Sequence, residues 1–143
     1  MTKFYKDGDS LYSCKYILSF FTKYKRKVLN EDKRIKLKEE IVKISEKYKF
    51  IVSDIEITEN QITLVVECNP KFGIYAVINK LKNGTANMLN INYPELSSKL
   101  PSIWTRSFYL KTVGSNDKEK LDEFMASQKK YENDKSVSTK KGE

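Results

Sequence analysis

With 143 residues, 39% of them apolar, and one Trp, nine Tyr and seven Phe, the chain suits a single domain with a real core. Its 27 Lys and Arg against 19 Asp and Glu leave a net charge of +8, which favours a polyanionic partner such as DNA, RNA or an anionic membrane. No run approaches ~18 uninterrupted apolar residues, which speaks against a membrane span, and the N-terminus lacks the apolar core of a signal peptide. The simplest location is therefore the cytoplasm. A lysine-rich, AT-rich genome that raises basicity everywhere is the competing explanation of the charge.

In chain order, Tyr12 to Phe21 is rich in aromatic and aliphatic residues and reads as a first strand. The basic run Lys23-Tyr24-Lys25-Arg26-Lys27 follows at once. A helix is expected from about Asp32 to Lys49, because Leu37, Ile41, Ile44 and Tyr48 recur along one amphipathic face. Ile51–Thr58 and Gln61–Cys68 are two strand-like runs around Glu59-Asn60, a hairpin pattern closed by Pro70. In the first of them Ile51, Ser53, Ile55 and Ile57 alternate with Val52, Asp54, Glu56 and Thr58.

A second helix carries Ile74, Val77, Ile78 and Leu81 on one face and meets Asn83-Gly84, with helical character resuming through Met88 and Leu89 before Pro94 and Pro101. Trp104 to Val113 reads as a fourth strand ended by Gly114. A last helix begins near Asn116, where Asn116 and Glu119 have the spacing of a capping box. Leu121, Phe124, Met125, Gln128 and Tyr131 lie along its stripe. Residues 132–143 hold a single Val and no aromatic and are expected to be a disordered tail.

The order strand, helix, strand, strand, helix, strand is that of an α+β, ferredoxin-like split βαβ sandwich with an antiparallel sheet, here extended by a C-terminal helix. Its first and third strands are antiparallel neighbours, which brings Cys14 and Cys68 to the same end of the sheet. Two cysteines are too few for a disulfide scaffold or a zinc site, and buried reduced thiols are expected.

Several segments then resemble one family in register. These are Tyr16 through Leu29 (YILSFFTKYKRKVL), Lys80 through Ala86 (LKNGTA after the lysine), Ile103 through Tyr109 (IWTRSFY) and Thr112-Val113-Gly114. They are similar to the single-tyrosine, HUH-type transposases of the smallest bacterial insertion sequences and their repeat-associated relatives. The resemblance runs from about Ser10 to Gln128 and delimits a domain of residues 10–131, after an N-terminal extension of residues 1–9.

The resemblance implies a metal held by a His-x-His strand pair and a helical glutamine, with a tyrosine on that helix forming a covalent phosphotyrosine with single-stranded DNA. It also implies a homodimer in which the tyrosine helix serves the partner's site. This chain departs from that pattern, having no histidine at all. The metal-pair positions are Gln61 and Thr63, and the histidine frequent in the opening strand is Ile17. Neutral amide and hydroxyl oxygens hold a divalent cation poorly, so no cofactor is expected. In the implied Tyr-x-x-x-Gln pattern Gln128 survives but Phe124 stands for the tyrosine, and phenylalanine has no nucleophilic oxygen. Tyr131 lies two turns, ~10 Å, further along the helix, beyond the tolerance of catalytic geometry.

The expected function is thus a catalytically inactive, transposase-derived protein that binds a DNA or RNA hairpin. Lys23, Lys25, Arg26 and Lys27 would contact phosphates, Tyr24 would offer a stacking platform, and Lys80, Lys82 and Arg106 are further candidates. Two alternatives are an active transposase with a displaced nucleophile and a dominant-negative partner of an active relative.

Overall fold

A computed structural model describes residues 3–114 and 118–134, the side chains of residue 99 and of 128–134 excepted. The chain divides into two compact units, Tyr12–Val113 and Met1–Leu11 with Gly114–Glu143.

The larger unit is built on a four-stranded antiparallel sheet. Its strands are β3 (Lys15–Phe21), β4 (Ile51–Ile57), β5 (Gln61–Glu67) and β6 (Tyr109–Val113), in the order β4-β5-β3-β6. β3 and β5 pair antiparallel from Lys15↔Glu67 to Phe21↔Gln61, as the split βαβ topology requires. Cys14 and Cys68 flank this ladder at one end, where the Cys68 amide donates to the Cys14 carbonyl at 3.2 Å. Both thiols are free. Burial pushes the Cys68 thiol up to about 11, and the nearby Cys14 adds to the rise.

Alternation along the strands divides the sheet into two faces. Leu18 and Phe20 of β3 and Ile62, Leu64 and Val66 of β5 point into the core, where they meet Leu37, Ile41 and Ile44 of α1 (Glu31–Tyr48). Val77, Ile78, Leu81 and Leu89 of α2 (Ile74–Asn92) complete that core. The helix faces expected from periodicity are therefore the buried ones. Asn30 caps α1, its side chain accepting from the Lys33 amide at 3.0 Å, so the helix starts one residue before the expected Asp32.

Three readings of the sequence need correction. In β4 the register shifts between Val52 and Asp54, a bulge that changes which side chains face inward. Val52, Ile55 and Ile57 pack on the core while Ile51 is exposed, so one alternating face does not run the length of the strand.

α2 runs unbroken through Asn83-Gly84. Gly84 faces Ile44 of α1: a Cβ there would lie 2.6 Å from Ile44 Cδ1 and 3.3 Å from Cγ1. The glycine permits a close helix–helix approach rather than a turn. Gly84→Leu is expected to destabilise the protein by about 1–3 kcal/mol through overpacking, measured by urea unfolding; a change under a few tenths of a kcal/mol would show that α1 shifts freely.

The last correction concerns the strand expected over Trp104–Val113, which begins only at Tyr109. Trp104 forms a lone bridge with Thr22 and inserts its ring into the core, 5% exposed. A short helix, α3 (Glu95–Lys99), fills the interval after Pro94.

β1 (Tyr5–Asp7) and β2 (Ser10–Tyr12), of which all but Tyr12 belong to the smaller unit, form a two-stranded sheet around Gly8, whose φ of 62° suits the turn. α4 (Lys118–Asp134) includes the first three residues of the expected tail; the remainder of that tail and Asn116 of the expected capping box lie outside the described residues. Among the described residues, no helix is long and apolar enough to cross a membrane.

Candidate nucleic-acid interface

The face of the sheet turned away from α1 and α2 carries a cleft of about 540 Å³ lined by Ile17, Ser19, Phe21, Gln61 and Thr63 from the strands. Phe20 reaches its edge, and Thr105, Ser107, Phe108 and Tyr109 form the far wall. No lining residue is charged. Gln61 and Thr63 thus share a face and an opening, as their i, i+2 spacing on β5 dictates.

The register places Ser19 directly opposite Thr63, and the three polar side chains form one network. Gln61 Nε2 donates to Ser19 Oγ at 2.8 Å. Ser19 Oγ donates to the Ile62 carbonyl at 3.1 Å and lies 2.9 Å from Thr63 Oγ1. A hydroxyl has one proton and two lone pairs. Either hydroxyl can be the donor in the Ser19–Thr63 bond. Beyond this network Gln61 keeps its Oε1 acceptor and a second N–H.

This donor set does not fit a divalent metal. It contains no carboxylate or imidazole, and its hydroxyls are committed to one another. Among the described residues no three His, Cys, Asp or Glu side chains gather as ligands. Ile17, at the remaining strand position of interest, contributes only hydrocarbon to the floor.

α2 fixes the far wall. Lys82 Nζ donates to the carbonyls of Thr105 at 2.7 Å and Ser107 at 3.1 Å, and lies over the rings of Phe20 and Phe108. Burial lowers its pKa. Lys82 therefore shapes the cleft from behind. Thr105 donates its backbone N–H to the Phe21 carbonyl at 3.0 Å, closing the wall onto β3.

The basic run leaves β3 as a 3-10 turn over Lys23–Lys25. Tyr24 and Lys25 both occupy the left-handed region, with φ of 59° and 53°. That conformation costs an L-residue about 1–2 kcal/mol. Groups outside the run impose it: the Thr22 hydroxyl donates to the Arg26 carbonyl at 2.7 Å, and Asn60 Nδ2 donates to the Lys25 carbonyl at 3.1 Å. The Lys23 amide donates to the Ile103 carbonyl at 2.8 Å.

As a result the backbone is pinned while most of the side chains stay exposed. Tyr24 is 68% exposed, and Lys25, Arg26 and Lys27 are exposed as well. Lys23 lies 5.7 Å from the Tyr24 ring centroid. Lys25 lies 4.8 Å from that of Phe21, which puts a cation at the rim of the neutral cleft. Arg106 is exposed in the wall segment between Thr105 and Ser107. Lys80 stands apart, over Tyr48 at 4.8 Å in the helical layer.

In the smaller unit, Phe124 is half-buried and lines a separate groove of about 340 Å³ with Lys6, Leu11 and Lys120. Leu121 and Met125, expected on the same stripe, are 54% and 57% exposed. Gln128 and Tyr131 belong to α4, but their side chains lie outside the described residues.

Sequence reasoning missed Ser19, Phe21, Phe108 and Tyr109 as parts of the site. Counting back from Thr63 across the expected antiparallel pair of first and third strands would have found Ser19. The aromatic wall needed the loop geometry before β6, for which the sequence holds no periodic pattern.

Residues 10–128 match the family described as "Transposase IS200 like". The chain is 25% identical over 125 residues to the ISDra2 transposase TnpA of Deinococcus radiodurans, covering 86% of this chain and 89% of that one. It is 27% identical over 107 residues to the transposase for insertion sequence element IS200 of Salmonella typhimurium, covering 73% and 70%. A crystal structure of a proposed Deinococcus radiodurans transposase superposes with a TM-score of 0.71 at 22% identity, over 87% of this chain and 97% of that one. A REP-associated tyrosine transposase bound to a REP hairpin superposes with a TM-score of 0.55 at 10% identity, over 85% and 66%. These two likenesses establish a shared fold.

Proposed function

This chain belongs to the IS200-like transposase family, and we propose that it is a catalytically inactive member that binds a nucleic-acid hairpin in a regulatory role. The observation that carries this reading is the neutral Ser19–Gln61–Thr63 network standing where the family resemblance calls for metal ligands. With no imidazole or carboxylate there, the site has nothing to activate a phosphodiester by Lewis-acid chemistry. Phe124 in place of the tyrosine removes the nucleophile.

Binding capacity is supported independently. Lys23, Lys25, Arg26 and Lys27 are presented on a backbone fixed by Thr22 and Asn60, next to an exposed Tyr24. Phosphate contacts by such a run supply affinity and register, while unpaired bases stack on aromatic rings. The REP-associated transposase, which shares the fold, is bound to a hairpin, and that partner class suits this surface. The exposed Leu121 and Met125, one turn apart on α4, support a homodimer formed through that helix, or a mixed dimer that silences an active relative.

The test is capture of the tagged full-length protein from its host, followed by strong denaturation and sequencing of the nucleic acid recovered. Enrichment of one hairpin family, released completely on denaturation, is the expected result. Diffuse, salt-labile fragments would overturn specific binding. Nucleic acid that remains covalently attached would overturn inactivity; peptide mapping would then place the adduct, with Tyr109 in the cleft wall and Tyr131 on α4 as the tyrosines to examine first.

A further inference from the structure

We propose that Cys14 and Cys68 are a redox-active thiol pair, which closes to an intramolecular disulfide by exchange with a low-molecular-weight disulfide and reopens in excess thiol. The inference is independent of hairpin binding. It begins from register. The β3–β5 ladder opens at Lys15↔Glu67, and its next step sets Cys14 opposite Cys68. The Cys68 amide donates to the Cys14 carbonyl at 3.2 Å, as the Thr22 amide donates to the Asn60 carbonyl at the far end. These are hydrogen-bonded positions of an antiparallel ladder, whose Cα atoms lie about 5.5 Å apart. A disulfide spans about 4.4–6.8 Å between Cα atoms.

The two side chains also share a face, because residues two apart on a strand point the same way. Leu18 and Phe20 with Ile62, Leu64 and Val66 mark that face as the core side, and Cys14 and Cys68 continue it at the end of the sheet. Tyr16 is the next residue of β3 on this face. Burial raises its hydroxyl pKa, and both thiols add to the rise, as groups packed together do. Cys68 is buried in the core, whereas Cys14 is half-buried. The chain holds no other cysteine to compete for either thiol.

This difference in exposure sets the order of events. The Cys14 thiolate attacks one sulfur of the small disulfide, which forms a mixed disulfide and releases one thiol. Cys68, once deprotonated, attacks the Cys14 sulfur and expels the second thiol. Two electrons pass from the cysteine sulfurs to the reagent, and two protons end on the released thiols. The bond formed is a labile one. Hydrogen-bonded pairs hold their Cβ atoms toward the wide end of the cross-strand range, about 5.5 Å, whereas a disulfide needs about 3.5–4.5 Å. Both residues lie just beyond the strands, since β3 begins at Lys15 and β5 ends at Glu67, so the backbone can close most of the gap. The strain that remains favours reduction.

The test incubates the full-length, folded protein with glutathione disulfide, alkylates the remaining thiols and reads intact mass and linked peptides. The expected result is loss of the mass of two hydrogens, one peptide pair joining Cys14 to Cys68, and an unchanged circular dichroism spectrum. About a hundredfold excess of reduced over oxidised glutathione is expected to restore both thiols, which a structural disulfide resists. Cys68→Ala is expected to stop at a glutathione adduct on Cys14, and Cys14→Ala to stay largely unmodified. Stable glutathione adducts on the wild type, disulfide-linked dimers or unreacted thiols would overturn the proposal. So would a closed bond that excess glutathione does not reopen. An adduct on Cys68 in folded Cys14→Ala, formed as fast as that on Cys14, would overturn the order of attack.

Discussion

Replacing Lys23, Lys25, Arg26 and Lys27 together by alanine is expected to lower affinity for the captured hairpin by on the order of a hundredfold at moderate salt, with little change in stability. Each phosphate neutralised on duplex DNA contributes about 0.9 to the slope of log affinity against log salt concentration. Four lost contacts should therefore flatten the slope by about 3 to 4, a larger and more specific signature than a change in affinity alone. The fold should tolerate the change because the backbone of this segment is fixed by Thr22, Asn60 and Ile103, none of which is altered. Electrophoretic or anisotropy titrations across a salt series would measure the slope. A quadruple variant with the wild-type slope would exclude these side chains from phosphate contact.

The largest loss of stability is expected at Trp104. Its ring is 5% exposed, meets Phe20 edge-on at a centroid distance of 5.0 Å, and donates from Nε1 to Thr85 Oγ1 at 2.9 Å. Thr85 is itself fully buried and donates to the Leu81 carbonyl at 2.6 Å. Truncating such a tryptophan costs about 3–5 kcal/mol, a large part of the 5–15 kcal/mol that holds a typical domain folded. Trp104→Phe keeps most of the ring and loses mainly the hydrogen bond, worth about 1 kcal/mol. Urea unfolding followed by circular dichroism would separate the two. Equal destabilisation by Ala and Phe would mean that the hydrogen bond, not the packed ring, dominates.

The contrast between these residues explains what could be read from the chain and what could not. The faces of α1 and α2 were legible because Leu37, Ile41 and Ile44, and Val77, Ile78 and Leu81, repeat at helical spacing within one segment. The pairing of β3 with β5 followed from the order of elements, and with it the closeness of Cys14 and Cys68. Gly84 is ambiguous in sequence because a local cue for a turn is indistinguishable from a requirement set by Ile44, forty residues away. Alternation alone does not reveal the β4 bulge, because the register shift between Val52 and Asp54 is set by pairing with β5.

Within the candidate site, Gln61 and Thr63 follow from the family resemblance, and the basic run is visible in the sequence itself. Ser19 joins them only through cross-strand register. Lys82 shows the same limit in reverse. Composition could mark it only as one lysine among many, whereas the structure gives its ammonium two specific carbonyl partners. The two-stranded sheet of β1 and β2 is too short for periodicity to reveal, although Asp7-Gly8 is a recognisable hairpin turn.

The support of the Tyr24–Lys25 backbone from outside its own segment has an evolutionary consequence. Substitutions at the exposed side chains of residues 24–27 can accumulate with little penalty to folding, since Thr22, Asn60 and Ile103 keep the main chain in place. A lineage of such proteins could change its target by exchanging a few surface residues on a constant scaffold. Divergence among relatives should then concentrate at those side chains, while Thr22 and Asn60 drift slowly.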